Sequence, residues 1–473
     1  MVAEDAVFTE AKTPKAGDVQ AGRSVPLSPT FWFSLAVLLL LPFQFGWSVG
    51  QLNLTTFNDE DECNARPLVD GTCLMFPGHS STEWTLIVNA WIVGGMIGSL
   101  GCGVISERFG RKKVLLANAV VMLAGAVIQA STSSISVFMV GRIVAGIASG
   151  CATGMVGGYI SEITPPSLRN SYGTFMQVSL SAGILVVTIS FFFADTSSGW
   201  RYIAAFPVLN AGFFLAFAPF VLVESPAWLL EKGDREHAER EIARLYGFDF
   251  VPVALTWMEP GINTDLESEE LCGEQHEGGT LSLLFSPLFI KQLLVALGVS
   301  AAQQLTGINA VCYYSSDIFS DAGMSDGRVG GVIVYVLMLL PTMAVARLSE
   351  RFGNRRLLLT GLAGMFISAT GITLALALSV EPITAALFTD SVRATAVSMC
   401  IFINWVCNLI IGVCFPYVSD ALDEYKFVPF MVTTAAFFFF TQFWIPETAG
   451  KSTEEIQATF RSRKAQKPVV VLS

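Results

Sequence analysis

Long apolar stretches alternate with short polar segments along most of this chain. Many of the apolar stretches reach about 18 residues or more, the length that a helix needs to cross the hydrocarbon core of a bilayer. The pattern predicts an all-α polytopic membrane protein. Its spanning helices are expected near residues 30–50, 84–105, 114–130, 136–160, 172–193, 200–223, 284–316, 329–346, 357–379, 395–417 and 426–445.

A short basic hairpin between two apolar stretches occurs twice. The five residues Ser106–Gly110 recur unchanged at Ser349–Gly353, 243 positions later, and each copy is followed by further Lys or Arg. Short loops rich in Lys and Arg are retained on the cytoplasmic side of a membrane. A repeat at half-chain distance is typical of secondary carriers built by duplication. The sequence therefore predicts two related six-helix halves with both termini in the cytoplasm.

The polar segments divide the chain into five parts. Opposite charges at helical spacing between Glu231 and Arg244 predict a solvent-exposed helix in the central polar segment. We expect a disordered cytoplasmic tail (1–28), an N-terminal six-helix bundle (29–223), a cytoplasmic helical linker (224–283), a C-terminal bundle (284–445) and a second cytoplasmic tail (446–473).

The second half is shorter than the first. Arg169 follows Arg108 by 61 residues, whereas the corresponding Arg393 follows Arg351 by only 42. The difference of 19 residues is about one bilayer crossing. The tenth helix is therefore predicted to be truncated or missing.

What remains of the tenth helix is the segment Val380–Val392. It has a proline near its start and is too short to span as an ordinary helix. We expect a re-entrant or strongly shortened helix near Ile383–Phe388, because irregular backbone at membrane depth is tolerated only when protein covers it. An error of splicing or of the gene model is the alternative explanation.

Composition agrees with the membrane class. The chain has 473 residues, of which 52% are hydrophobic and 14% charged, with a mean hydropathy of +0.57. The net charge of −11 does not favour nucleic acid as a partner. The three histidines lie in polar segments, and no phosphate-binding loop, nucleophile elbow or pair of carboxylates lies in a span. We therefore predict no enzyme, no catalytic or metal-binding residues and no cofactor.

Small and charged residues within the apolar runs suggest packing roles. Glycines at positions 146, 150, 154 and 158 repeat every fourth residue, and two more stand at 94 and 98, which predicts close helix approach. Arg142 and Arg201 are expected near helix ends, reaching the membrane interface.

Cys63 and Cys73 lie in a polar loop predicted to be extracellular. The sequence leaves two alternatives for them, a disulfide and two free thiols.

Uncharged amides at membrane depth are the strongest chemical signal. A buried amide without partners costs about a few kcal/mol, so each must face a polar group, water or a ligand. Amides both donate and accept hydrogen bonds, which suits an uncharged ligand rich in hydroxyl groups. Trp405 adds an indole on which a sugar ring can lie. Amides at membrane depth also occur as contacts between helices, without a ligand. In this chain the amides at membrane depth are Gln177, Gln303, Gln304, Asn309, Asn404 and Asn408.

Several motifs together resemble one family. The chain is similar to the sugar porters of the major facilitator superfamily, which include facilitative glucose transporters, over nearly everything but the tails. The resemblance implies two six-helix bundles, alternating access and a hexose bound between the bundles. The motifs are Glu107–Arg111, Gly141–Arg142, Glu162 with Arg169, Glu224–Pro226, Gln303–Asn309 followed by Tyr313 and Tyr314, Asn404–Trp405 and Pro446–Thr448.

The resemblance also implies roles for individual residues. Positions matching sugar contacts are Gln177, Gln303, Gln304, Asn309 and Trp405, with Asn404 beside them. Tyr313 and Tyr314 match the extracellular gate. The cytoplasmic charge network that latches the outward-open state is matched by Glu107, Arg108, Arg111, Glu162, Arg169, Glu224, Glu350, Arg351, Arg355, Arg393 and Glu447.

The chain departs from the family at informative positions. Ser48 stands where proton-coupled relatives have Asp, which favours facilitated diffusion over symport. Met338, Ala227 and Ala386 replace a family Asn, Arg and Glu. The shortened tenth helix removes a hinge and a wall of the sugar site that the family has.

The expected function is transport of hexoses across a membrane, most simply the plasma membrane. The expected partners are the sugar and the lipid bilayer, with no obligate protein partner. The alternatives are a proton-coupled sugar or polyol symporter, a transport-dead sugar sensor and a mis-spliced copy.

Overall fold

The described part of the chain is almost entirely helical and contains no strand. The computed structural model describes residues 25–54, 57, 63, 73–194, 196–258, 285–286, 289–307, 309–310, 313, 326–352, 354–369, 390–422 and 428–446. Within these ranges the side chains at 170, 345–352, 354, 357, 364–369, 390–395 and 419–420 are not described. Eight helices of the described part are long and apolar enough to cross a membrane.

The first half supplies six of these spans. The first span, predicted as one helix, is broken at Leu39, because Pro42 has no N–H to donate to the carbonyl of Leu38. The next four helices extend a few residues beyond the predicted bounds, and the last one begins at Gly199 and ends at Val221, two residues before its predicted end. Their bounds are α1 Pro29–Leu38, α2 Leu40–Gly50, α3 Ser81–Phe109, α4 Arg111–Ser131, α5 Ile135–Ile163, α6 Arg169–Ala194 and α7 Gly199–Val221.

Local signals explain where a helix such as α3 begins. The Ser80 side chain accepts from the Glu83 backbone N–H, and the Glu83 carboxylate accepts from the Ser80 backbone N–H at 2.8 Å. This reciprocal capping satisfies two backbone donors that the first turn would otherwise leave unpaired.

Close packing in the first half depends on glycine, as the four-residue spacing predicts. A Cβ added at Gly94, Gly98, Gly146 or Gly150 would lie 2.0–2.1 Å from a carbonyl oxygen of the facing helix, α3 or α5. The two backbones are therefore in direct contact. Gly158, at the end of the same pattern, has no neighbour within 4 Å and does not take part.

Three short helices follow the first half: α8 Pro226–Glu231, α9 Arg235–Tyr246 and α10 Val251–Met258. The predicted exposed helix corresponds to α9, but one of its faces is buried under the first half. The Tyr246 hydroxyl donates to the carbonyl of Ile163 at 2.5 Å, and burial raises the pKa of that hydroxyl. Ser28 donates to the carbonyl of Arg244 at 2.6 Å. The linker helix is thus fixed to the first half.

The second half contributes five described helices. The seventh span, predicted as one helix over 284–316, is interrupted: α11 ends at Leu305, Gly307 has φ +96°, and the backbone is helical again at residues 309, 310 and 313. Residues 370–389, which include the predicted tenth-helix remnant, lie outside the described residues, as do both predicted tails apart from 25–28 and Pro446. The bounds are α11 Ile290–Leu305, α12 Gly327–Phe352, α13 Asn354–Ala369, α14 Asp390–Leu422 and α15 Val428–Trp444.

Helices of the two halves pack against each other. In the described part, α3 packs along α14, α6 packs along α12, and α5 also contacts α14. The site described next lies on the inner side of α11 and α14.

Candidate functional site

Four amide side chains of the second half form one hydrogen-bonded group, here called the amide cluster: Gln303, Gln304, Asn309 and Asn404. Gln304 Nε2 donates to Asn404 Oδ1 at 2.6 Å, and Asn404 Nδ2 donates to Gln303 Oε1 at 2.6 Å. Asn309 Nδ2 donates to Gln304 Oε1. Four of the predicted sugar-contact residues are therefore brought together.

The break after α11 makes this cluster. Because the helix ends at Leu305 and Gly307 turns the chain, Asn309 comes back to the side chain of Gln304. Gln304 is buried, whereas the other three amides are half-buried. An amide has two N–H donors and an oxygen with two lone pairs, so these bonds use only part of the capacity of each side chain. The remainder can serve a ligand.

The other predicted contacts lie elsewhere. Gln177 is half-buried on α6, in the opposite half, and does not take part in the amide cluster. Trp405 is 2% exposed. Its ring is covered by Trp91, with centroids 4.8 Å apart, and by Phe45 at 5.7 Å. In this structure the indole contacts the first half of the protein instead of lying open beside the amides.

The predicted gate residue Tyr313 is described, whereas Tyr314 lies outside the described residues. The Tyr313 hydroxyl donates to Asn408 Oδ1 on α14 at 3.0 Å. Tyr313 is therefore fixed to the helix that carries Asn404.

A contact between the halves that the sequence did not reveal lies beside this gate. Asn53 Nδ2, just after α2, donates to the hydroxyl of Tyr335 on α12 at 3.2 Å, and Tyr335 is 1% exposed. Arg328 lies over the ring of Phe192 at 5.2 Å. Arg328 also pairs with Asp326 and lowers the pKa of that carboxyl through its hydrogen bonds. A tyrosine in an apolar run gives no sequence signal for such a role.

Among the described members of the predicted charge network, Arg111 and Glu162 form an ion pair. Arg111 Nη2 lies 2.9 Å from Glu162 Oε1, and Arg111 Nε lies 3.1 Å from Glu162 Oε2. This two-point contact fixes the end of α5 against the start of α4.

The contacts of Glu224 in the described part of the chain are to backbone N–H groups, and its place in the charge network stays a prediction. Its carboxylate accepts from the backbone N–H groups of Arg111 at 2.7 Å, Lys112 at 3.1 Å and Ser225 at 3.1 Å. It therefore caps the N-terminus of α4, where the unpaired N–H groups attract negative charge. Gly110 has φ +92°, and a Cβ there would lie 2.6 Å from Glu224 Oε2. Glycine is required for this approach.

The other members of the network are only partly described. Arg108 lies over the ring of Phe109, Arg169 donates to the carbonyl of Thr164, and Arg355 donates to that of Gln442. The backbone carbonyl of Glu107 accepts from the Trp228 indole. The side chains of Glu350, Arg351 and Arg393, and all of Glu447, lie outside the described residues. A latch between the halves therefore stays a prediction.

Replacing Glu224 by glutamine should destabilise the first half, because the cap loses its charge while keeping one acceptor oxygen. We expect the melting temperature of the purified protein to fall by roughly 2–4 °C. Thermal unfolding in detergent, followed by tryptophan fluorescence, measures this. Glu231→Gln is the control, since Glu231 is exposed at the end of α8. Equal melting temperatures for the two variants would contradict the capping role.

Arg142 was expected at the membrane interface, and that prediction is wrong. The side chain is 2% exposed and lies over the ring of Trp91 at 5.6 Å. Its guanidinium donates to the carbonyls of Ser48 at 3.1 Å, Val88 at 3.3 Å and Ile87 at 3.5 Å. The planar guanidinium therefore bridges the first and second spans. No carboxylate pairs with Arg142 among the described residues.

Cys63 and Cys73 are joined by a disulfide in the loop between α2 and α3. His79 Nδ1 lies 3.9 Å from the Cys73 sulfur. The three residues have the composition of a metal site. Since the thiolate is the metal-binding form of cysteine and both sulfurs are bonded to each other, this group does not form one.

Comparison with known proteins gives consistent results. The family described as "Sugar (and other) transporter" matches residues 34–386 and 378–460, and the two matches meet where the second half is short. Facilitated glucose transporter member 4 of solute carrier family 2 from Mus musculus is 33% identical over 456 residues, covering 88% of each chain. Member 2 from Mus musculus is 33% identical over 512 residues, covering 93% of this chain and 96% of its own.

Among solved structures, a double tryptophan variant of XylE superposes on this chain with a TM-score of 0.75 at 23% identity. The match covers 92% of this chain and 100% of the XylE chain. The agreement extends over both halves.

Proposed function

Because this chain belongs to the sugar transporter family, we propose that its substrate is a hexose and that it carries the hexose by facilitated diffusion. The protein is a multi-pass membrane protein with the major facilitator fold, and it transports sugar. The proposal adds four points: the class of sugar, transport without coupling to a proton gradient, the residues that bind the sugar, and location in the plasma membrane. The relatives named above are facilitated glucose transporters.

The amide cluster is the observation that carries the choice of a hexose. It presents neutral donors and acceptors from two helices within one group. A hexose is uncharged and carries a hydroxyl on most of its carbons, so it can exchange its bonds to water for bonds to these amides. A charged ligand would instead require a counter-charge at this depth. We assign Gln303, Gln304, Asn309 and Asn404 to sugar binding.

The surroundings of Ser48 support facilitated diffusion. In proton-coupled relatives an acidic side chain stands at this position, according to the resemblance described above. Here the Ser48 hydroxyl accepts from Gln44 Nε2 at 3.4 Å, and the nearby Arg142 is bound by backbone carbonyls. Neither a serine nor a carbonyl titrates in the physiological range. The position of Ser48 therefore offers no group that could bind and release a proton during transport.

The competing functions differ in what they predict. A proton-coupled symporter for a sugar or polyol requires a protonatable group elsewhere in the bundle. A sensor or a defective copy would follow if the shortened tenth helix prevents the halves from exchanging positions. No covalent chemistry is proposed, since the family is one of transporters.

Uptake of labelled glucose tests the proposal. The full chain is expressed in cells that lack their own hexose carriers, and its amount at the surface is measured by biotinylation. We expect saturable uptake that is unchanged when a protonophore collapses the proton gradient. Uptake that disappears with the gradient would establish symport. No uptake of glucose, fructose or galactose despite surface protein would overturn the assignment of hexose transport.

A further inference from the structure

Asn89 on α3 carries a buried acceptor without a donor. Its side chain is 4% exposed, and its Oδ1 has no hydrogen-bond partner in the described part of the chain. Its Nδ2 donates to the carbonyl of Thr85, four residues earlier on the same helix, at 2.8 Å. An amide oxygen that is buried without a donor has lost its bonds to water and gained no bond in exchange. The arrangement of helices that buries this oxygen therefore costs free energy.

The unsatisfied oxygen points across the boundary between the halves. A Cβ added at Gly412 on α14 would lie 2.2 Å from Asn89 Oδ1 and 3.2 Å from Asn89 Cγ, so the amide lies directly against the glycine. The next atom near that position, Cδ1 of Ile92, is 3.4 Å away, which is an ordinary van der Waals distance. The hydrogen that Gly412 carries in place of a Cβ is only a weak donor. It does not replace the bonds to water that Oδ1 has lost.

This contact lies near the outer ends of α3 and α14, which are the ends away from the two basic hairpins. Asn89 is in the first third of α3, whose far end enters the basic hairpin at Phe109. Gly412 is in the last third of α14. In this structure the outer ends of the two halves are therefore closed against each other where Asn89 is buried.

The closed outer ends also have contacts that stabilise them. Asn53 Nδ2 donates to the hydroxyl of Tyr335 at 3.2 Å, and both side chains are buried. Arg328 lies over the ring of Phe192 at 5.2 Å. Both contacts join the first half to α12. Closure thus combines contacts that favour it with one, at Asn89, that opposes it.

We propose that Asn89 destabilises the closed arrangement of the outer ends, and that this keeps its free energy close to that of the separated arrangement. When α14 moves away from α3, water reaches Asn89 Oδ1 and supplies the missing donor. The same movement separates Tyr335 from Asn53, so the two contacts act in opposite directions on one equilibrium. An amide that only joined α3 to α14 would hydrogen-bond across the boundary, which Asn89 does not do in the described part of the chain.

The proposal assigns a sign to each substitution. Asn89→Ala removes the unsatisfied acceptor and shifts the equilibrium toward closed outer ends by roughly 2- to 10-fold. Tyr335→Phe removes a closing hydrogen bond and shifts it toward separation by a similar factor. Gly412→Ala places a Cβ against Asn89 Oδ1 and forces the helices apart. In the Asn89→Ala background that Cβ meets only Ile92 at an ordinary distance, so Gly412→Ala should then be harmless.

Double electron–electron resonance on the purified full chain in lipid nanodiscs measures the separation of the outer ends. Spin labels are attached to p-acetylphenylalanine introduced at Thr82 and Ala421, two exposed positions near the outer ends of α3 and α14, so that no cysteine is labelled. We expect the fraction of the short distance to rise in Asn89→Ala and to fall in Tyr335→Phe and Gly412→Ala. The double variant Asn89→Ala with Gly412→Ala should match Asn89→Ala alone.

Asn118→Ala is the matched control, because Asn118 is also a buried amide but donates to the carbonyl of Ala148 inside the first half. Its distance distribution should equal that of wild type. If wild type shows only the short distance, the variants are compared in the Tyr335→Phe background, and absence of the long distance there would count against the proposal. A short-distance fraction that does not rise in Asn89→Ala would overturn it, as would equal opening by Gly412→Ala with and without Asn89. The measurement needs no sugar, so its result does not depend on the proposed hexose.

Discussion

Replacing Gln304 by alanine raises the KM for hexose by roughly 10- to 100-fold, the equivalent of about 1.4–2.8 kcal/mol. Gln304 is the buried centre of the amide cluster, since it donates to Asn404 and accepts from Asn309. The alanine variant loses the sugar contact that we propose for Gln304 and also releases both neighbouring amides from their positions. Binding then has to order those amides again, and this cost appears as weaker apparent affinity.

Zero-trans uptake kinetics with labelled glucose, normalised to surface protein, measures this effect. Gln129→Ala is the matched control, because Gln129 is also a buried amide but bonds to Gln51 and to the carbonyl of Gly141 within the first half. It should reduce the amount of folded protein and leave KM unchanged. An unchanged KM in Gln304→Ala would remove the amide cluster from the sugar site.

Replacing Arg142 by methionine should reduce the yield of folded protein to roughly a tenth or less. The change removes the guanidinium from the carbonyls of Ser48, Val88 and Ile87. Val88 and Ile87 lie inside α3, where their carbonyls keep the N–H donors of the helix, but Ser48 stands in the last turn of α2, where carbonyls have no intrahelical donor. The Ser48 carbonyl is then left unsatisfied, at a cost of about 1–3 kcal/mol from the roughly 5–15 kcal/mol that holds an average protein folded.

The amount of monodisperse protein after detergent extraction, measured by fluorescence-detected size exclusion, checks this result. Arg142→Lys should recover only part of the yield, because a single ammonium does not reproduce a planar fork that reaches two helices. Arg235→Met is the control for loss of a charge, since the Arg235 side chain is 60% exposed. A normal yield of Arg142→Met would mean that the Ser48 carbonyl finds another donor.

Much of this fold could be predicted from apolar run length, because a bilayer requires about 20 apolar residues for each crossing. The same signal could not locate the breaks. It missed the one at Leu39, which depends on Pro42, and the one at Gly307 within the seventh span. Runs of apolar residues have no period that distinguishes a helix from a turn.

The candidate site was predictable wherever polarity itself was the signal. Gln303, Gln304, Asn309 and Asn404 stand out as amides in apolar runs, and the structure brings them together. Tyr335 does not stand out, because its function depends on which helix faces it. Glu224 was assigned to the charge network through its match to the family motif, whereas the backbone N–H groups that it binds leave no trace in the sequence.

The glycine contacts between α3 and α5 also have a genetic consequence. A single-base substitution that changes a glycine codon to another amino acid always introduces a Cβ, whichever amino acid results. At Gly94, Gly98, Gly146 and Gly150 that carbon would occupy the position of a facing carbonyl oxygen. Every missense change at these four codons is therefore expected to disturb the packing of α3 against α5. Inherited variation in this gene should leave all four unchanged, while the codon of Gly158, which faces open space, should be free to vary.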